Sequence, residues 1–264
     1  MSDLTSIAGA AVAAYQRALG TVANNIANVD SAGYSRQETD LIENAPRAYG
    51  TSYLGTGVNV AGIRRLYDTF IESSLRNANT ELGTQESLVN YANRVINILG
   101  SEDIGLTAAF DRFFSAARSL STDSSSLILR EQFLSKSEGL AGQFSNLSTQ
   151  LDLLESETRE ATEASIGKLN QLAEQLAVVN RQLRKSRYVD RQPPTLMDQR
   201  DLILRDLAQL ARVQVKEATN GEVTVSLGST IARGALVTSD GARRLGAQFS
   251  ETSAGKVDLI IGQY

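Results

Sequence analysis

Apolar residues near the start of the chain recur at steps of three and four positions, which is the spacing of one face of an α-helix. This pattern predicts a single helix whose apolar stripe runs from Leu4 to Ile26. A continuous stripe of this kind needs a partner surface, so we interpret it as a candidate assembly interface. Its members are Leu4, Ile7, Ala11, Val12, Tyr15, Leu19, Val22 and Ile26.

Amide side chains mark the end of this helix. Asn24, Asn25 and Asn28 are poor residues for a helix interior, because their short amides compete for backbone hydrogen bonds. Gly33 then allows a positive φ angle. The simpler alternative is an ordinary capped helix followed by a loop. Residues 34–65 are typical of extended chain and turns, with a short strand favoured near Val58.

Helical spacing returns after residue 65 in three successive segments. The expected helices run from Leu66 to about Leu99, from Ile104 to Leu120 and from Leu127 to about Arg187. The predicted buried side of the first comprises Phe70, Ile71, Leu75, Ala78, Leu82, Leu88, Val95, Ile96 and Leu99. The aromatic residues of the second are Phe110, Phe113 and Phe114, and their spacing favours burial against neighbouring helices.

The longest helical segment carries an apolar seam close to a heptad repeat. The seam comprises Leu147, Leu151, Leu154, Thr158, Ala161, Ser165, Leu169, Leu172, Leu176, Val179 and Leu183. Two consecutive four-residue steps around Ser165 form a stutter, which locally unwinds a left-handed supercoil. We therefore expect a long antiparallel bundle or rod.

Charged residues around the end of this segment have simple structural interpretations. A basic cluster complements the partial negative charge of a helix C-terminus, although it could also contact an acidic partner. Its members are Arg181, Arg184, Lys185, Arg187 and Arg191. After the break at Pro193-Pro194, Thr195 and Asp198 predict a capping box, and Asp201 and Arg205 predict an exposed ion pair one turn apart.

Beyond Ala211 the apolar period changes from helical to alternating. Val213 to Leu227, with Asn220-Gly221 at its centre, predicts a β-hairpin, because Asn-Gly favours the turn that matches strand twist. Further strands are expected at Ile231 to Val237 and Val257 to Ile261, with turns at Asp240-Gly241 and Ala254-Gly255.

The predicted fold class is therefore mainly α with a β portion: a long α-helical coiled-coil or bundle rod followed by an incomplete antiparallel β domain. The predicted segments are 1–33 for the first helix and its turn, 34–65 for the extended region, 66–212 for the helical bundle and 213–264 for the β portion.

Composition excludes several kinds of chemistry. The chain contains neither His nor Cys, which rules out a His-based triad, a thiol nucleophile, a disulfide and a His- or Cys-ligated zinc site. Carboxylate catalysis would need acids grouped in a pocket, and their spacing provides none. The sequence thus predicts a protein without catalytic activity, cofactor or metal.

Charge and hydropathy limit the partners and the route of export. A net charge of −4 removes the main driving force for nucleic-acid binding. No Lys or Arg precedes Arg17, so the N-terminus lacks the basic start of a cleaved signal peptide. No apolar run reaches the length of about 18 residues that a membrane-spanning helix needs.

Three segments carry a resemblance to a known family. Asn24, Asn25 and Asn28, followed by Gly33, Tyr34, Arg36 and Gln37, resemble the N-terminal signature shared by axial proteins of the bacterial flagellum. The segments from Gly55 to Ala78 and from Met197 to Ile203 are similar to the hook-associated protein FlgK family. The second of these contains the motif Asp198, Gln199, Arg200 and Asp201.

The resemblance implies a structural subunit at the junction between hook and filament. It would be exported by the flagellar type III apparatus without signal cleavage and would form a tubular homo-oligomer outside the cell. Hook protein, a second junction protein and an export chaperone are the implied partners. In this family the N- and C-terminal helices pair, whereas this chain shows no C-terminal helix, so we expect that it is a fragment.

Two other kinds of function remain open at this stage. The chain could be a flagellar rod or hook protein, although the Met197 to Ile203 similarity and the long seam disfavour this. It could also be a secreted helical module that binds a foreign protein or a membrane surface. Such a module should be monomeric, whereas a junction subunit should co-assemble with hook and filament proteins.

Overall fold

The structure, a computed structural model, describes residues 2–100, 105–228, 235–250 and 257–262. Its helices in these ranges are α1 (Ser2–Ala27), α2 (Thr69–Leu99), α3 (Leu106–Thr122), α4 (Leu127–Leu183) and α5 (Pro194–Leu210). The strands are β1 (Gln37–Glu43), β2 (Arg47–Tyr49), β3 (Ser52–Leu54), β4 (Val58–Arg65), β5 (Val213–Glu217), β6 (Val223–Leu227), β7 (Ala235–Val237), β8 (Leu245–Phe249) and β9 (Val257–Ile261). The expected mainly α fold with small antiparallel sheets is confirmed.

The residues group into two compact units that do not follow the chain in simple order. The first unit comprises Met1–Glu81, Lys168–Leu245 and Ile261–Tyr264, and the second comprises Leu82–Gly167 and Gly246–Ile260. Helices α2 and α4 contribute residues to both units, because each is long enough to continue beyond one core.

In the first unit, α1 packs on a two-stranded antiparallel ribbon. Strand β1 pairs with β4 from Gln37 opposite Arg65 to Glu43 opposite Val58, with an irregularity after Asp40. Strands β2 and β3 form a short hairpin within the connection between β1 and β4.

The apolar core of the first unit lies among the end of α4, α5 and the β5–β6–β7 sheet. Its buried side chains include Leu172, Leu176, Val179, Leu183, Ile203, Leu204, Leu207, Val223, Val225, Leu236 and Val237. The predicted hairpin is confirmed, with Val215 opposite Val225, and Ala218 opposite Glu222 leaves a loop of three residues in place of the expected two-residue Asn-Gly turn. Gly221 has a φ of 84°, whereas Asn220 has no positive φ, which fits a three-residue loop that ends in a left-handed glycine.

In the second unit, α3 and part of α2 run antiparallel to α4. The rings of Phe110 and Phe144 are in edge-to-face contact with 5.8 Å between their centres, and the ring centres of Phe113 and Phe133 are 5.4 Å apart. Arg94 of α2 forms an ion pair with Glu157 of α4. The aromatic residues of α3 therefore pack on α4 as predicted, although Phe114 remains largely exposed.

Several predicted boundaries were wrong. Helix α2 begins at Thr69 and not at Leu66, because the Asp68 carboxylate accepts hydrogen bonds from the N–H groups of Phe70 and Ile71. Helix α4 ends at Leu183, before most of the basic cluster. Strand β8 was missed. The strand expected from Ile231 to Val237 is described from Ala235 to Val237, and residues 231–234 and the Ala254-Gly255 turn lie outside the described residues.

Two predictions about buried faces were also wrong. All nine predicted buried positions of α2 are exposed within this chain. Polar groups of α2 contact α5 instead: Glu72 pairs with Arg205, and the Thr80 hydroxyl donates to the Ala208 carbonyl at 2.8 Å. In the α4 seam, Ala161 and Ser165 are exposed and Ile166 is buried, because the four-residue steps continue for longer than predicted.

The charge pairs predicted around α5 do not form. The helix starts at Pro194, its N-cap residue is Pro193, and no side chain caps it, so Thr195 and Asp198 make no capping box. Asp201 is buried and not exposed, and Arg205 pairs with Glu72. Both aspartates instead bind the guanidinium group of Arg65.

Candidate assembly site

The apolar stripe of α1 faces solvent in this chain. Among its members, Leu4, Val12, Tyr15, Leu19, Val22 and Ile26 are exposed, from 50% for Val22 to 78% for Leu4. Ile7 and Ala11 differ from the rest, because they are half-buried. The structure thus divides the predicted interface between two faces of the helix.

A second stripe, displaced by one residue, makes the contacts within the chain. It consists of Ile7, Ala11, Ala14, Ala18, Thr21 and Asn25, all buried or half-buried. One residue corresponds to about 100° of rotation around a helix. We call this set the small-residue stripe, and it packs on the ribbon. The exposed residues point in another direction, and we call them the large apolar stripe: Leu4, Val12, Tyr15, Leu19, Val22 and Ile26.

Small side chains on this face allow α1 to lie close to the ribbon. The α-carbon of Ile7 comes within 3.7 Å of an ideal Cβ at Gly57, and the Thr39 hydroxyl donates to the Thr21 hydroxyl at 2.9 Å. Gly57 has a φ of 93°, which L side chains rarely adopt. Larger residues at Ala14 or Ala18 would separate helix and strands.

The amides at the end of α1 join the helix to the first strand. The Asn25 side chain donates to the Gln37 carbonyl at 2.8 Å and accepts from the Gln37 N–H at 2.9 Å. The Tyr34 hydroxyl donates to the Asn25 Oδ1 atom at 2.8 Å. Gln37 is buried, so these bonds satisfy a backbone that water reaches poorly.

The other signature residues complete the turn between α1 and β1. The Asn28 amide donates to the Asn24 carbonyl and to the Asn24 side-chain oxygen, both at 2.9 Å. Gly33 has a φ of 80°, and an ideal Cβ there would lie 3.1 Å from the Cβ of Leu202 on α5. Gly33 therefore serves both the turn and the close approach to α5.

Tyr34 and Arg36 contribute in different ways. Burial raises the pKa of Tyr34, and the negative charge of Asp198 raises this pKa further. The Arg36 side chain is exposed, whereas its carbonyl accepts a hydrogen bond from the Leu66 N–H at 2.8 Å. Signature residues thus reach both the family motif on α5 and the end of β4.

The predicted motif on α5 forms a buried ion-pair junction with β4. Arg65 of β4 donates to Asp198 at 2.7 Å and to Asp201 at 2.9 Å, and all three side chains are at least nine-tenths buried. The Arg65 guanidinium also lies 4.6 Å from the centre of the Tyr67 ring. Gln199, which also belongs to the motif, is exposed.

Arg200 extends this junction to the β5–β6 hairpin. Its guanidinium donates to Asp201 at 2.8 Å, to Glu217 at 2.8 Å and to the Gly221 carbonyl at 2.8 Å. Burial alone would lower the pKa of Arg200, but Asp201 and Glu217 outweigh it and the pKa is raised. Removing one member of such a buried group is costly, because a partner charge is left uncompensated.

Arg65 is the residue whose role the sequence did not reveal. Arg65 occurs in the segment from Gly55 to Ala78 that resembles the family. That resemblance does not indicate that the Arg65 side chain contacts α5, where Asp198 lies 133 residues later in the chain. Two consecutive arginines at the end of a strand were the available signal. Arg64 points elsewhere, to Glu38 and Asp40 across the ribbon.

The chemistry of this region is structural. Its carboxylates and guanidinium groups are paired with each other, so they fix elements in place. Among the described residues, no group of three or more potential ligand side chains could hold a metal ion. Within the described ranges, no helix combines the length and the apolarity needed to cross a bilayer.

Comparison with known proteins gives the family. Residues 92–263 match the family model described as the flagellar hook-associated protein FlgK helical domain. The chain belongs to the FlgK family. The match starts within α2, so it supports the helices and the β portion independently of the N-terminal signature, and the predicted family membership is confirmed.

Curated relatives agree with this assignment. Over 99% of its length the chain is 29% identical to flagellar hook-associated protein 1 of Salmonella typhimurium and to that of Escherichia coli, covering 48% and 49% of those proteins. The protein of the same name from Bacillus subtilis is 27% identical over 80% of the chain and 43% of its own length. The chain spans about half the length of the curated relatives it matches.

A solved structure supports the fold. The flagellar hook junction protein FlgK from Burkholderia pseudomallei matches with a TM-score of 0.59 and 24% identity, over 71% of this chain and 33% of that one. This family fold therefore covers most of the chain.

Proposed function

We propose that this protein is a non-enzymatic structural subunit of the bacterial flagellum at the junction between hook and filament. It assembles with copies of itself into a tubular layer through the large apolar stripe of α1. Membership of the FlgK family supports the location, and the family match over residues 92–263 favours the junction over a rod or hook protein.

The observation that carries this proposal is the orientation of α1. The helix is attached through its small-residue stripe, through Asn25 and through the turn at Gly33, and this attachment leaves Leu4, Leu19 and Ile26 exposed. Burial of one such side chain stabilises by about 1.5–3 kcal/mol. Exposed apolar residues arranged in one long stripe mark an interaction surface.

The proposed partners follow from the family. Hook protein and a second junction protein would contact the two ends of the layer, and an export chaperone would hold the chain before secretion. The type III apparatus would export the protein without signal cleavage, so that it functions outside the cell. Absence of Cys is compatible with export as an unfolded chain.

Substitution of the stripe tests the assembly step. We expect Leu19→Asp with Ile26→Asp to abolish incorporation into flagella, because carboxylates would have to be buried between subunits. The purified protein should keep its helical content, since these side chains are 69% and 70% exposed. Incorporation is measured by quantifying the protein in isolated flagella.

A matched control carries the same charges elsewhere on the helix. Ala13→Asp with Gly20→Asp changes exposed positions away from both stripes and should still incorporate. If the stripe variant incorporates normally, the proposed interface is wrong. If it loses helical content as a purified monomer, the stripe belongs to the core of the single chain.

A further inference from the structure

A basic surface follows the end of α4 in a chain whose net charge is −4. Because α4 ends at Leu183, Arg184, Lys185, Arg187 and Arg191 lie beyond the helix and cannot all serve its C-terminus. Arg184 has a partner within the chain, Glu222, at 2.6 Å. Among the described residues, Arg181, Lys185 and Arg187 form no ion pair, and all three are exposed.

An exposed aromatic residue lies within this surface. Tyr188 is 58% exposed, and the Arg191 guanidinium lies 5.7 Å from the centre of its ring. An open cleft of about 450 Å³ beside it is lined by Arg184, Arg187, Tyr188, Asn220 and Glu222, among others. Arg and Tyr are enriched among residues that dominate binding energy at protein interfaces.

We name this surface the Arg-Tyr patch and define it as Arg181, Lys185, Arg187, Tyr188 and Arg191. The nearby acids are Asp190, within the same segment, Glu222, which is paired with Arg184, and Asp240, next to the Ser239 carbonyl that accepts from Arg184. The patch keeps an excess of positive charge after these are counted. Its partner should therefore present carboxylates.

The same chain presents such a surface on α4. Residues 152–163 contain Asp152, Glu155, Glu157, Glu160 and Glu163 but one cation, Arg159. Arg159 pairs with Glu155, and Glu157 pairs with Arg94. Asp152, Glu160 and Glu163 are exposed and form no ion pair among the described residues. We call these three residues the acidic face.

Helical geometry brings members of the acidic face together. Asp152 and Glu163 are separated by about three turns, so they point in nearly the same direction, and Glu160 lies one turn before Glu163. Glu160 and Glu163 are close enough to repel each other, so an external cation would stabilise them, and Asp152 extends the same negative face by about 16 Å. Three unpaired acids and the unpaired cations of the patch are thus complementary in sign and similar in number.

We propose that the Arg-Tyr patch of one subunit binds the acidic face of a second copy of this chain. The proposal rests on self-assembly as the proposed function and adds a contact distinct from the α1 stripe. Two different surfaces meet in this contact, so it is heterologous and repeats from subunit to subunit, as a ring or helical layer requires. Complementary charges would also fix the register between neighbours.

Cysteine cross-linking tests the contact directly, because the natural chain contains no Cys. The variant Arg187→Cys with Glu163→Cys, expressed in place of the natural protein, is treated with a short bismaleimide in isolated flagella. We expect a ladder of covalent oligomers, because each subunit would link to a neighbour on both sides. The matched control pairs Arg187→Cys with Glu138→Cys, an exposed acid elsewhere on α4, and should give no ladder.

Charge reversal provides a second readout. The reporter pair for this test is Thr219→Cys, an exposed residue beside the patch, with Ser156→Cys on α4. Lys185→Glu with Arg187→Glu should abolish the ladder of this reporter, and Glu160→Lys with Glu163→Lys should restore it. A protein that enters flagella but gives no ladder in the first double-cysteine variant overturns this contact alone. Absence of the natural protein from isolated flagella contradicts the proposed function as well.

Discussion

At the scale of single residues, asparagine side chains connect helices to strand backbones. Asn25 on α1, Asn170 and Asn180 on α4 each donate to the carbonyl and accept from the N–H of one strand residue. The strand residues are Gln37, Leu245 and Val223, respectively. A carboxamide can do this because it repeats the donor and acceptor of a peptide group.

Asn25→Ala should therefore destabilise the attachment of α1. It leaves the buried Gln37 backbone and the Tyr34 hydroxyl without this partner, and each unsatisfied buried group costs about 1–3 kcal/mol. Urea unfolding should show this decrease in the free energy of unfolding. The matched control is Asn24→Ala, whose amide is exposed and whose bond to Tyr34 is longer, at 3.3 Å. Equal losses for both variants would contradict the assigned role of Asn25.

At the scale of elements, α1 presents two different faces, one packed on the ribbon and one exposed. The small-residue stripe allows close packing on the ribbon, whereas the large apolar stripe is kept away from it. Arg65 then joins the ribbon to α5 through Asp198 and Asp201. Orientation of the exposed stripe is thus determined by contacts made elsewhere in the same unit.

Enlarging the small-residue stripe should separate helix and ribbon. Ala14 is 3% exposed, so Ala14→Leu overpacks this face and should lower the free energy of unfolding by about 1–3 kcal/mol. Ala13→Leu adds the same atoms at an exposed position of α1 and should change it by less than about 0.5 kcal/mol. Denaturant unfolding of both variants measures the difference, and an equally stable Ala14→Leu protein would contradict close packing at this face.

The sequence predicted element types better than element partners. Periodicity identified the helices and the hairpin at Asn220-Gly221 because these signals are local. It did not show that α2 turns polar residues such as Glu72 and Thr80 inward, since periodicity identifies a face but not what covers it. The same limit explains the error at Asp201: the spacing to Arg205 suits an exposed pair, and its true partner, Arg65, is distant in sequence.

The sequence likewise predicted the residues of the candidate site better than their contacts. The stripe and the signature residues were identified by spacing and resemblance, whereas the division of the stripe at Ile7 and Ala11 depends on the ribbon that folds against them. Side-chain hydrogen bonds such as those between Asn25 and Gln37 join residues 12 positions apart, so they give no periodic signal in the sequence.

At the scale of the whole molecule, two exposed surfaces suit an assembling subunit. The α1 stripe offers apolar area for association, and the Arg-Tyr patch with the acidic face offers charge complementarity between neighbours. Apolar burial provides most of the stabilisation in such contacts, and charge provides specificity. Membership of the FlgK family supports the proposal that both surfaces take part in assembly.

Deletion of the gene tests the central claim most directly. Cells that lack a hook-filament junction subunit should build hooks but fail to retain filaments. The account predicts that such cells are non-motile and release filament protein into the medium as monomer, and that the natural gene restores attached filaments. Motile deletion cells with filaments attached in normal number would contradict it.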